Sequence, residues 1–382
     1  MDGRVDGQEH PFPALSGMEP VAAHRLPKPR VAVLHRPFPG STSLAVEVKM
    51  SLGRKKLAAL ILAGSSVPVA PTAAEAAEVE SVYPQRPITV VVGFPPGGAS
   101  DLIARHMAAY MTEELGSKVI IENRAGAAGN IAAAAVAQAP ADGYTLFLAA
   151  RPNTTHKLMY PFIDFDFAHD LAPIALLATV PLVMVTGRQS DLDDLPGVVA
   201  AAKARPGELI CGSAGVGSTE HLLCEVFKKA SGTDIAHIAY RGSAPALVDL
   251  MGGRTDIQIT LVPGVISQIR SGAVKPLVVM ASGRIPALPD VPAIEEYQLP
   301  GKDGGTWYAL VAPAGTPVAV IARLNRSVNT VLRNPTLRRV MEDLAFTLPA
   351  SRNTPDDVRV FLAEEIARWT AVLSEARVEP PR

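Results

Sequence analysis

The stretch Ile88-Thr-Val-Val-Val-Gly-Phe-Pro-Pro-Gly-Gly-Ala-Ser-Asp101 decides how this chain is read. Ile88–Phe94 is a short, apolar, β-branched run with the length and composition of a buried strand. Pro95-Pro-Gly-Gly98 breaks it, and Ser100 or Asp101 is placed to cap a helix reaching about Leu115. Leu102, Ile103, Met107, Tyr110, Met111 and Leu115 recur at a period near 3.6 and form one apolar stripe for that helix.

The same strand, glycine-rich turn and helix recur downstream. Lys118–Ile121 is a strand, Glu122–Gly129 a turn, Asn130–Gln138 an alanine-rich helix and Tyr144–Ala149 a third strand. Residues 151–169 read as a long irregular loop. Ile174–Val185 follows as one or two strands, because Pro181 requires an edge, a bulge or a break. A second group has strands at Glu208–Cys211, Ile235–Tyr240, Asp256–Leu261 and Pro276–Ala281, with helices at Thr219–Ala230, Ala244–Met251 and Pro263–Arg270. Trp307–Ala312 is a further strand, and helices at about Pro317–Arg333 and Pro355–Ser374 end the chain. Alternating strands and helices predict an α/β protein of mostly parallel sheets flanked by helices. The grouping suggests one domain from residues 83–185 with 286–382, and a second, inserted domain from 186–285. Two crossover strands, hinged near Val185 and Gly283, would join them.

In open parallel sheets, ligands bind beyond the carboxyl ends of the strands. Those ends are rich in glycine and serine here: Pro95–Ser100, Asn123–Gly129, Gly212–Ser218 and Arg241–Ser243. Each precedes a helix, whose unpaired N–H groups and dipole attract anions. Any one such turn is ordinary βα chemistry; their joint richness in two domains points to a receptor for carboxylates. Gly212-Ser-Ala-Gly-Val-Gly217 has the glycine order G-x-x-G-x-G, not that of a dinucleotide loop. Cys211-Gly-Ser-Ala-Gly215 approaches a hydrolase elbow but begins with cysteine. No catalytic constellation, metal-ligand spacing or cofactor motif stands out.

Composition narrows the class. The 382-residue chain exceeds what one hydrophobic core usually serves. A net charge of −1 and 19% charged residues leave no basic stripe for nucleic acid. Residues 50–77 read as an export signal: Arg54-Lys-Lys56 is a basic start, Leu57–Ala63 opens a short apolar run, and Ala74-Glu-Ala76 fits a signal peptidase. The run is too short and too interrupted for a membrane anchor. A soluble periplasmic protein is expected. Residues 1–49, proline-rich and aperiodic, read either as a disordered extension or as residues preceding a true start at Met50 or Met18. The two cysteines, Cys211 and Cys224, are either buried free thiols or one bridge.

Tyr83-Pro-Gln-Arg-Pro-Ile-Thr, Phe94–Asp101, Glu122-Asn-Arg-Ala-Gly-Ala-Ala-Gly-Asn130, Ala141-Asp-Gly-Tyr-Thr-Leu146, Gly212-Ser-Ala-Gly-Val-Gly-Ser-Thr-Glu-His221 and Tyr240-Arg-Gly-Ser-Ala-Pro-Ala246 resemble the Bug family. These are solute-binding receptors of tripartite tricarboxylate transport systems. The likeness continues through Ala287-Leu-Pro-Asp-Val-Pro292, Ala312-Pro-Ala-Gly-Thr-Pro317 and Glu364-Glu-Ile-Ala-Arg-Trp369, and spans essentially 83–373. It implies a periplasmic binding protein fold of two domains closing on one small organic acid, without turnover, cofactor or metal. Relatives hold a carboxylate by the loop after the first strand and the loop before the first helix of domain two, through backbone N–H groups and water. Carried onto this chain, the ligand contacts are Phe94, Gly97, Gly98, Ala99, Ser100 and Asp101 (mainly a helix cap), then Ser213, Gly217, Ser218 and His221. Tyr240, Arg241 and Gly242 form a third element. The implied partners are membrane permease subunits or a sensor protein, and a monomer is expected.

Two departures from the family pattern bear on the ligand. Thr260-Leu-Val-Pro263 stands where many relatives carry Asp-Asn-Leu-Pro, so Thr260 replaces an acid that would suit an amino-acid ammonium. Ala149-Ala-Arg-Pro-Asn-Thr-Thr155 places Arg151 and Asn153 where relatives have small residues. Arg151 is either a bidentate grip for a second carboxylate or a solvated rim residue. Both departures favour an amine-free anion: a di- or tricarboxylate, or an aromatic acid. The rival readings are a secreted serine hydrolase using Ser213 and His221, and a sensory receptor on the same scaffold.

Overall fold

The computed structural model describes residues 83–299, 301, 304–350 and 352–376. The export signal and the stretch before it lie outside those residues. Strand β1 (Ile88–Val92) is buried because it has a parallel neighbour on each side, β2 (Val119–Asn123) and β3 (Thr145–Ala150). Helix α1 (Ala99–Leu115) packs Ile103, Met107, Met111 and Leu115 inward, with Leu102 and Tyr110 at the flank of the stripe. Gly116, in the left-handed conformation, ends it. Helix α2 is Asn130–Ala137.

The segment expected to be an irregular loop instead opens with two short helices, the buried α3 (Arg151–Thr154) and α4 (His156–Met159), which buries His156 and Met159. Polar side chains satisfy the backbone there: Thr154 Oγ1 donates to the Arg151 carbonyl, and His156 bridges the carbonyls of Asn153 and Phe165. Strands β4 (Leu171–Val180) and β5 (Leu182–Gly187) are separated by Pro181, which breaks the run where the chain passes from one sheet to another. Helix α5 (Leu195–Ala204), absent from the sequence reading, starts at an Asp194 cap. Then come β6 (Ile210–Ser213), α6 (Thr219–Ser231), β7 (Ala236–Ala239), α7 (Ser243–Met251), β8 (Ile257–Leu261), α8 (Val262–Arg270) and β9 (Val274–Val279). The chain returns through β10 (Thr306–Pro313) and ends in α9 (Val318–Leu332), α10 (Pro335–Asp343) and α11 (Pro355–Ala376).

Two five-stranded sheets result, in the orders β2-β1-β3-β10-β4 and β7-β6-β8-β5-β9. Both are mixed. In the first, β10 is antiparallel to β3 and β4; in the second, β5 is antiparallel to β8 and β9. The reversed strand in each case is the one arriving from the other sheet. It enters at the end where its neighbours finish, so it must run the opposite way. Four of the five strands in each sheet still share one direction, so the sheets are mostly parallel, as strand–helix alternation predicts, with β10 and β5 the exceptions.

Each sheet carries its own core. Val91, Phe147, Trp307 and Leu362 belong to one cluster, and Val183, Leu250, Ile266 and Val279 to the other. Leu288, Val291 and Ala345 also pack into the second cluster. Residues 182–187 pair within the second sheet, and Leu288 and Val291 pack into its core, while β10 from Thr306 pairs within the first. Cys211 and Cys224 are both buried free thiols.

Candidate ligand-binding cleft

A cleft, partly open to solvent, lies between the lobes. Phe94, Pro95 and Pro96 with the first turn of α1 form one wall, and Thr219 and Glu220 with the first turn of α7 form the other. Ala150, Pro152, Thr306, Tyr308 and Leu261 complete the lining. Strand direction explains the location: the parallel strands of both sheets point their carboxyl ends here, and the helices that follow present their N-termini.

The three helix starts differ. Ser218 caps α6, accepting a hydrogen bond from the His221 amide at 3.2 Å. Helices α1 and α7 begin after Gly98 and Gly242, which have no side chain to cap them. Their first amides face the cleft from opposite walls, an arrangement suited to a shared anion. At Gly242 the backbone has φ near 117°, and an added Cβ would stand 3.1 Å from the Pro95 ring. Glycine is required there both by conformation and by the approach of the opposite lobe. Thr306 Oγ1 is buried and, among the described residues, has no hydrogen-bond partner.

Phe94, Gly98, Ala99, Ser100 and Gly242 line the cleft as the sequence reading placed them. Other candidates are committed elsewhere. Asp101 is no helix cap: it accepts from the Gly97 amide at 3.1 Å, Arg105 Nε at 2.9 Å and Asn123 Nδ2 at 3.0 Å, clamping the loop from behind. Burial pushes its carboxyl up, but the bonds from Arg105, Gly97 and Asn123 outweigh that and hold it below the usual value. Those bonds also occupy the Gly97 amide. Asn153 accepts from the Ala150 amide at 2.9 Å and donates to Asn130 at 3.0 Å, fixing the start of α3.

Arg151 requires a correction. It is buried, donates to the Gly304 carbonyl at 2.9 Å, lies 3.5 Å from Glu365 and stacks 4.2 Å from the Trp369 ring centre. A buried guanidinium needs a counter-charge, and Glu365 supplies it within the first lobe. Neither the grip nor the solvated rim is built. Thr260 is likewise buried inside β8, with its neighbour Leu261 facing the cleft instead. Tyr240 donates to Asp249 at 2.8 Å, and Arg241 is exposed outside the lining.

The loop Gly212–Ser218 serves the contact between lobes. The Tyr160 hydroxyl donates to the Val216 carbonyl, and an added Cβ at Gly217 would meet the Tyr160 ring at 2.9 Å. The Gly217 amide donates to His221 Nδ1 at 3.1 Å. Ser213, fully buried, pairs with His237 Nε2 at 2.7 Å and not with His221. The two imidazoles stack at 4.3 Å. Burial and Lys228 lower His221 to about 4; burial and His221 lower His237 to about 4. Ser213 is sealed outside the cleft lining and partnered by His237, and among the described residues no carboxylate is hydrogen-bonded to that histidine.

Glu220, Thr306 and Tyr308 were missed, and Ser243, inside the singled-out turn Arg241–Ser243, was not named as a contact. Glu220 lies in the first turn of α6, just past the loop Gly212–Ser218. Extending that loop by one helical turn would have included it.

The family profile described as the tripartite tricarboxylate transporter family receptor, TctC, matches residues 103–378. The chain belongs to this family. Protein BugT of Bordetella pertussis strain Tohama I is 39% identical over 307 residues, 80% of this chain and 94% of that one. The solved structure of R. palustris Rpa4515 with adipate has a TM-score of 0.75 and 34% identity, covering 78% of this chain and 100% of the other. The periplasmic binding protein BugD has a TM-score of 0.74 and 30% identity at the same coverages. The fold is thus the two-lobed periplasmic binding protein architecture.

Proposed function

We propose that this chain is an extracytoplasmic receptor that binds one small organic carboxylate, leaves it chemically unaltered and delivers it to a tripartite tricarboxylate-type permease. One observation carries the reading: the uncapped N-termini of α1 and α7 meet across a single cleft. Two helix dipoles and their free amides supply the positive potential that a carboxylate needs, without a cationic side chain. The bound adipate of the R. palustris relative supports an acid of this class. The exported, periplasmic location follows from the signal-like residues 50–77.

Delivery works by closure. A ligand contacting both walls has more interactions when the lobes are together, so it shifts the population toward the closed form. The crossings at Pro181 and just before Thr306 are the hinge. Gly242 against Pro95 and Val216 against Tyr160 are the contacts that close.

Titration calorimetry with adipate, citrate, benzoate and aspartate tests the proposal. One-to-one binding of an amine-free acid, recovered intact, is expected. Failure of every carboxylate to bind, or conversion of a bound acid to another compound, would end it.

A further inference from the structure

Among the described residues, the cleft lining holds no Lys, Arg or His; its ionisable side chains there are Glu220 and Tyr308. A carboxyl group therefore sits in a site read as one for carboxylates. Glu220 is 3% exposed, and its Oε1 accepts a hydrogen bond from Ser243 Oγ at 2.9 Å. Among the described residues it has no salt bridge. An ionised Glu220 would face a bound carboxylate with no cation between them, in a site that excludes much of the water.

Resting on the receptor reading above, we propose that Glu220 binds the ligand as a neutral carboxylic acid, donating its proton in a hydrogen bond to a ligand carboxylate oxygen. The proton stays on Glu220; no covalent bond forms or breaks. The carboxylate then accepts from the helix amides of α1 and α7 and from an acid O–H, a short and strong pairing. Glu220 thereby sets specificity. It favours a ligand that presents carboxylate oxygen at the α6 end of the cleft and gives no advantage to an ammonium there. That restores, on a different residue, the preference for amine-free acids that had been assigned to Thr260.

The surroundings agree. Burial pushes the Glu220 carboxyl up, and hydrogen bonds from its own backbone and from Ser243 and Ser218 offset this only in part. No Lys, Arg or His is among the groups acting on it. Tyr308 faces it from β10, and burial and Glu220 raise that phenol far above neutral pH. On its own helix the adjacent His221 titrates near 4. The α1, α3 and α7 walls contribute Ser100, Pro152 and Ser243 to Pro245, none of which titrates. Among the described lining residues, Glu220 is the one carboxyl, and burial raises its hold on a proton.

Binding should then be linked to one proton. A bound carboxylate raises the Glu220 pKa further, so affinity falls as pH rises, approaching about tenfold per unit where the free site is ionised and the complex is not. The experiment is calorimetry of the exported protein with adipate and, as a matched pair, succinate and aspartate. It is run from about pH 6 to 8.5 in buffers of different ionisation enthalpy, on wild type and Glu220→Gln. Wild type should lose affinity with rising pH and take up a proton on binding. Glu220→Gln should bind adipate with a flat pH profile and no proton uptake. Wild-type binding without pH dependence or proton uptake overturns the proposal while leaving the receptor reading intact. So does tighter aspartate than succinate binding that Glu220→Gln abolishes, since that marks an ionised glutamate paired with an ammonium. Binding of no acid at any pH removes the receptor reading and this inference together.

Discussion

Gly242, at the start of α7, lies so close to Pro95, in the loop after β1, that one added methyl would stand 3.1 Å from the proline ring. These residues belong to opposite lobes, and each leads into a helix with an uncapped N-terminus. Their contact sets the two helix starts on opposite walls of one cleft.

Gly242→Ala should therefore act on binding more than on the unliganded fold. The new Cβ meets Pro95 only when the lobes are together, and φ near 117° adds strain of about 1 kcal/mol or more. Calorimetry should show adipate affinity reduced roughly tenfold or more, with only a small drop in the melting temperature of the free protein. Unchanged affinity would argue against closure through this contact.

Arg151→Ala should destabilise the first lobe without changing ligand preference. It removes one of two cations from the buried Glu365, which keeps Arg368 and the Trp307 N–H, so the loss should be smaller than the roughly 3–5 kcal/mol of a fully unpaired buried charge. Chemical denaturation reads the stability, and the affinity ratio of a dicarboxylate to a monocarboxylate reads the preference. A selective loss of dicarboxylate binding would restore the grip.

His221, buried, and His237, half-buried, make the protein acid-sensitive in a defined window. Both fall from an unfolded value of 6.5 to about 4 in the fold. Between those values the unfolded chain binds more protons, so stability is fully present above pH 6.5 and is lost as pH falls toward 4. For His221, which is 8% exposed, the loss is on the order of 3 kcal/mol. Melting curves from about pH 7 to 4 should show this slope, and His237→Gln should reduce it. An unaltered slope would move the acid sensitivity to other groups.

Ser213→Ala removes the hydroxyl that pairs with His237 and should cost about 1 kcal/mol of stability. Ester turnover should be at background in both wild type and variant. Turnover that vanishes in Ser213→Ala would bring back the hydrolase reading.

Much of this was legible in the chain. The unit β1, loop and α1 could be read because proline and glycine end the strand abruptly and the apolar stripe of the helix is regular. The opposing walls could be read because glycine-rich turns precede helices in both halves. The two reversed strands could not. The reversal of β5 and β10 depends on which sheet the chain has just left, and alternation of strand and helix carries no such sign.

The side chains of the site were less legible for related reasons. Arg151 resembled a ligand group because its partner Glu365 lies far along the chain, in α11. Glu220 was passed over because it follows the glycine-rich loop, inside the first helical turn. The overlooked helices α5 and α10 did carry signals: Asp194 accepts from the Gly197 amide, and Asn334 from those of Thr336 and Leu337.

A crystal structure of the protein with adipate is the most direct test of the account. It should show one adipate carboxylate within about 3 Å of backbone N–H groups at the starts of both α1 and α7, with the acid intact. A ligand bound elsewhere, or held by charged side chains with those amides unused, would contradict it.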